Sequence, residues 1–105
     1  MSEKSPVLFL VFNRYETTIQ VFEMIKKEQP KKLYIAADGP RENQKEDINK
    51  CKKVREIFSS IDWDCEVKTL YQKNNLGPMK SQINAINWFF DNESEGIILE
   101  DDALP

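Results

Sequence analysis

The sequence predicts an α/β fold: a mainly parallel sheet with helices on both faces, built in the order βαβαβαβ. Three observations point there. Short apolar runs of strand length alternate strictly with longer stretches whose apolar residues recur every three or four positions. The first run, "VLFLVF", is apolar throughout, as expected of a strand covered on both faces. No internal repeat, low-complexity tract or linker interrupts the alternation over 105 residues, a length that suits one domain spanning 1–105. Strict alternation requires crossover connections, and right-handed crossovers give parallel strands.

The first strand is expected over 7–12, behind Pro6. A helix over 16–28 follows, with Ile19, Phe22 and Ile25 at a spacing of three and with Val21 and Met24 widening the stripe, until Pro30 stops it. The second strand, 33–37, ends at Asp38-Gly39-Pro40, where glycine's freedom in φ suits a turn. A second helix over 44–60 has a core side of Ile48, Cys51, Val54, Ile57 or Phe58, and Ile61, and "NKCKKVRE" reads as its solvated face. The third strand, 66–71, alternates only weakly. "QKNNLGPMKS" then turns the chain into a third helix, with Gly77 near the cap and Pro78 at the first helical position. Its core face is expected to carry Met79, Ile83, Ile86 and Phe90, and it ends near Asp91-Asn92. Trp63 and Trp88 read as packing residues. The last strand, "GIIL", runs directly into Glu100, Asp101 and Asp102.

Composition removes several function classes. Charged residues make up 31% of the chain, yet the net charge is only -3, which is neither the basic excess of a nucleic-acid binder nor the charge density of an acidic tail. There is no histidine, so the commonest zinc ligand and the commonest general base are both absent from this chain. Cys51 and Cys65 are isolated and form no C-x-x-C pair. No stretch approaches the roughly 18 to 20 apolar residues that cross a bilayer, and the first residues lack the organisation of a secretory signal. The expectation is a cytoplasmic protein with reduced thiols and no transmembrane segment.

In open parallel sheets, ligands bind beyond the carboxyl ends of the strands, where the strand order reverses. Polar clusters fall at those ends here: Asn13-Arg14, Asp38, Lys73-Asn74-Asn75 and Glu100-Asp101-Asp102. All four are expected on one edge. Consecutive carboxylates suit Mg²⁺ or Mn²⁺, which take one or two protein oxygens and complete their shell with water and phosphate; a solvated turn or helix cap is the plainer reading. If strand geometry persists, Glu100 and Asp102 point to one side and Asp101 to the other. Around Gly77, the free N–H groups of a helix start favour an anion, with Lys80 adding charge; an ordinary capped helix start is the plainer reading. The stretch matches neither the P-loop nor the dinucleotide fingerprint. Asp38 serves either the turn alone or as an acceptor for the N–H groups of a nucleobase.

"PVLFLVFNR", "ADGPR" and "NNLGPMKSQINAINWFF" followed by "GIILEDD" resemble the nucleotide-binding, Rossmann-like half of GT-A fold glycosyltransferases, which use nucleotide-diphosphate sugars. The triplet Glu100-Asp101-Asp102 is similar to the Glu-Asp-Asp variant of the DxD motif. The resemblance implies a UDP-sugar donor, with Asn13 and Arg14 at the base, Asp38 on uracil, Asp102 on Mn²⁺ or Mg²⁺, and Asp101 and Glu100 near the ribose and sugar. The cation would neutralise charge on the departing nucleoside diphosphate. Gln82-Ile83 stands where such proteins commonly carry Arg-Asn, and Ala85 where glycine is frequent. The resemblance further implies that the chain is the front part of a larger transferase domain, that a carbohydrate acceptor binds to a part C-terminal to it, and that the chain alone does not turn over. An exposed final strand would invite self-association. The competing expectation is a flavodoxin-like or receiver-like interaction module without catalysis. Receivers gather an acidic pair after the first strand, where this chain has Asn13-Arg14.

Overall fold

The computed structural model describes residues 5–102; of the expected domain, 1–4 and 103–105 lie outside the described residues. The elements are β1 (Val7–Val11), α1 (Tyr15–Glu28), β2 (Lys32–Ala37), α2 (Asp47–Glu56), β3 (Glu66–Tyr71), α3 (Pro78–Asn92) and β4 (Ile97–Glu100), with a 3₁₀ turn over Ile57–Ser60 after α2. The fold is α/β. All strand pairs are parallel, and the sheet order is β3-β2-β1-β4.

The two-residue period of β1 divides the core into two layers. Val7, Phe9 and Val11 face α1 and α2, packing with Val21, Phe22, Ile25, Val54 and Phe58. Phe58 meets Phe9 and Phe22 edge-on, with ring centroids 5.8 Å and 5.5 Å apart. Leu8 faces the opposite way, packing with Tyr34, Ala36, Ala85 and Phe89 beneath α3. Each fully buried large side chain in these layers contributes about 1.5–3 kcal/mol. The Tyr34 hydroxyl donates to Glu93 Oε2 at 2.5 Å, so the polar end of a buried ring is satisfied. Trp63 donates its indole N–H to the Pro30 carbonyl at 2.9 Å, and Trp88 meets Tyr34 edge-on at 5.1 Å.

The connections explain why the helices divide two to one. From β1 to β2 to β3 the sheet grows in one direction, and β4 then returns to the far side of β1. With right-handed crossovers, the reversal sends α3 to the other face. It also opens a crevice between the carboxyl ends of β1 and β4.

Four local expectations need correction, the first being Met24 of α1, which is exposed instead of widening the buried stripe. The core face of α3 is Ala85 and Phe89, with Ile86 and Trp88 beside them, whereas Met79, Ile83 and Phe90 are exposed. The helix is rotated because small Ala85 lets it approach Leu8 and Tyr34 closely. On α2, Ile48 is exposed while Cys51 and Val54 are buried. Gly39 does not use a positive φ, which among the described glycines belongs to Gly77 alone. Gly39 is required by proximity instead: an added Cβ would sit 2.5 Å from the backbone carbon of Asn74. Among the described residues, no helix is long and apolar enough to cross a membrane.

Candidate functional site

A pocket of about 320 Å³ lies at the carboxyl-end rim of the sheet. Leu10 of β1 and Ala36 of β2 contribute its apolar floor, and Pro78, Ser81 and Gln82 bring in the first turn of α3. Its polar lining consists of Arg14, Asp38, Arg41, Asn75, Glu100 and Asp101. Residues from the ends of β1, β2 and β4 thus meet in one cavity, as the topology requires.

Asp38 is buried, and its carboxylate is fully engaged by protein donors. Oδ1 accepts the backbone N–H groups of Gly39 and Leu76, both at 2.8 Å. Oδ2 accepts the Gly77 N–H and the Asn75 side-chain amide, both at 3.1 Å. Gly77, with φ of 89°, lets the chain turn so that successive N–H groups face the carboxylate. Asn75 also donates to the Gly39 carbonyl at 2.9 Å, closing the loop onto the end of β2. From outside, Arg55 donates to the carbonyls of Asp38 at 3.0 Å and Gln72 at 2.9 Å, joining the ends of β2 and β3. In this arrangement Asp38 positions the entrance to α3, and its oxygens face that loop.

A second buried carboxylate, Asp47 at the start of α2, was not singled out by sequence reasoning. It accepts Arg41 Nε at 2.7 Å, Arg41 Nη2 at 3.0 Å, the Arg41 backbone N–H at 3.1 Å and the Asn13 side-chain amide at 3.0 Å. The guanidinium hydrogen bonds hold the Asp47 carboxyl well below the usual carboxylate range, with burial opposing and the backbone and Asn13 donors adding to the effect. The same hydrogen bond raises Arg41, which stays cationic. Asn13 therefore turns its amide toward Asp47 and is not part of the pocket lining. Arg41 does line it. The only sequence signals were an acid in a helix's first turn and an arginine just beyond a tight turn, both common on any surface.

The acidic triplet is held much more loosely. β4 ends at Glu100 and a turn covers Asp101 and Asp102, so the strand alternation expected through the triplet stops. Glu100 and Asp101 line the same pocket, and Asp102 lies just outside that lining, paired with Arg14 at 3.6 Å. Glu100 receives a long contact of 3.5 Å from Gln82. Burial pushes the Asp101 carboxyl up, Arg14 opposes the shift, and Asp102 and Glu100 add to it. Lys80 is exposed and does not reach the pocket lining.

Among the described residues, no three His, Cys, Asp or Glu side chains converge as a complete metal cage. Mg²⁺ and Mn²⁺ need no such cage, since one or two carboxylates with water and phosphate oxygens suffice. Glu100 and Asp101, two mutually repelling carboxylates in one pocket, fit that donor set. No protein-family profile, curated protein or solved structure matches the chain.

Proposed function

We propose that this chain is the donor-binding part of a metal-dependent glycosyltransferase, taking a nucleoside-diphosphate sugar, with a UDP-sugar as the favoured donor. One observation carries the reading: at the crevice between β1 and β4, Arg14 from one strand end meets Glu100, Asp101 and Asp102 from the other, beside a pocket of about 320 Å³ with an apolar floor. Among the described residues the side-chain partners of these acids are a long contact from Gln82 and the exposed Arg14, which suits them to a cation, and a cation in turn would make an anionic diphosphate acceptable beside them.

The residues divide the work. Leu10 and Ala36 supply an apolar floor for the base, and Arg14 provides a cation at the rim. Asp38 fixes the loop of Asn75 to Gly77 that forms the wall of the pocket. Glu100 and Asp101, with Asp102 alongside, would hold Mg²⁺ or Mn²⁺, which when bound supplies Lewis-acid neutralisation of the departing nucleoside diphosphate.

Calorimetry of UDP binding tests this reading. Affinity is expected to rise when Mn²⁺ is added, and to lose that gain in Asp101→Asn and Asp102→Ala. Binding that ignores both the metal and the substitutions would remove the proposed mechanism.

A further inference from the structure

We propose that Arg41 is a metal-independent anion contact of this pocket, held in place by Asp47, and that it takes a phosphate oxygen of the bound nucleotide. The inference rests on the nucleotide-binding reading and gives a role to the arginine that closes the "ADGPR" stretch, for which the resemblance implied none.

A guanidinium carries five N–H donors in a planar fork. Asp47 takes one edge of Arg41, through Nε at 2.7 Å and Nη2 at 3.0 Å. Among the described residues Nη1 has no protein hydrogen-bond partner, and the side chain is 45% exposed where it lines the pocket. Phe12 lies 5.6 Å from the guanidinium carbon, which limits the directions in which the plane tilts. Asp47 itself is 1% exposed at its side chain, anchored by the start of α2 and by Asn13. A long, flexible side chain is thereby given one orientation before any ligand arrives, which lowers the entropy lost on binding.

Position completes the case. Arg41 follows the Asp38-Gly39 turn at the end of β2, so it approaches the pocket from a different strand end than Glu100 and Asp101. A phosphate between them would meet an arginine fork on one side and carboxylates, bridged through a cation, on the other. Arginine suits this task because its planar donors match phosphate oxygens.

The test compares UDP with uridine, each titrated calorimetrically with and without Mn²⁺ into the wild type, Arg41→Gln and Arg41→Lys. Arg41→Lys keeps a cation beside Asp47 and so protects the fold, but it loses the second edge. In both variants the ratio of UDP to uridine affinity is expected to fall about tenfold, the scale of one charge-assisted hydrogen bond. An unchanged ratio, or equal losses for UDP and uridine, would overturn the proposal and leave Arg41 as a support for Asp47 alone. If the wild type ignores UDP yet binds inorganic pyrophosphate in an Arg41-dependent way, the nucleotide reading fails while the anion contact stands. Binding of neither ligand overturns both.

Discussion

Two groups of carboxylates occupy the same rim of this sheet and are held in opposite ways. Asp38 and Asp47 are buried, and each accepts four hydrogen bonds from protein donors. Glu100, Asp101 and Asp102 lie together at the end of an edge strand, where, among the described residues, Glu100 meets Gln82 in a long contact, Asp102 pairs with Arg14 in solvent, and Asp101 has a backbone hydrogen bond. The contrast separates building from binding: a carboxylate saturated by its own chain shapes the site, and one left short of donors is available to a ligand. Chemical identity alone does not make that distinction, since all five residues are Asp or Glu at strand ends or helix starts.

Replacing Asp38 is the strongest way to break the comparison. Asp38→Ala leaves the N–H groups of Gly39, Leu76 and Gly77 without their acceptor, and each unsatisfied buried donor costs about 1–3 kcal/mol, so a loss of roughly 3 kcal/mol is expected after partial rehydration. Urea denaturation measures it. A loss below about 0.5 kcal/mol would place Asp38 with the loosely held acids and undo the distinction.

The acid limb of stability provides a second, smaller effect. Asp47 is lowered in the folded protein, chiefly by the Arg41 hydrogen bonds. A depressed carboxyl contributes stability that is present above its unfolded value, near pH 4, and lost as the pH falls toward the folded value. In Asp47→Asn that linkage is gone, so stability below about pH 4 should fall less steeply than in the wild type, while stability at neutral pH should be lower. Parallel thermal melts from pH 7 downward check the sign. Identical slopes in the two proteins would mean that the Asp47 carboxylate is not held by Arg41 in solution.

The fold was legible in the sequence because its signals were local. "VLFLVF" needed no partner to be read as a strand buried on both faces, "LYIAA" read as a strand ending at a turn, and Pro30 and Pro78 marked helix boundaries through the missing N–H. The orientation of α3 was not legible. Met79, Ile83, Ile86 and Phe90 form an apolar stripe at helical spacing, but contact with the sheet selected the neighbouring stripe of Ala85 and Phe89. Among the site residues, strand-end position drew attention to Arg14, Asp38, Glu100 and Asp101, which do share a cavity. The Asn13–Asp47 bond joins positions 34 residues apart in the chain, and no local pattern announces a contact of that range. The role of Gly39 was similarly hidden, because the close approach comes from Asn74 on a different loop.

The smallest expected effect sharpens the comparison from its other side. Arg14 and Asp102 have side-chain exposures of 62% and 58%, and their 3.6 Å pairing is screened by water. Such pairs contribute about 0–1 kcal/mol. Asp102 also adds to the repulsion on Asp101, so removing it relieves one interaction while losing another. Asp102→Ala should therefore leave the unfolding free energy from urea denaturation within about 0.5 kcal/mol of the wild type in metal-free buffer. Added Mn²⁺ should then stabilise the wild type more than the variant, since a ligand bound only by the folded state raises stability by mass action. A variant that is markedly destabilised without metal would make Asp102 a structural residue like Asp38, and a variant that responds to Mn²⁺ as the wild type does would remove it from the cation's donor set.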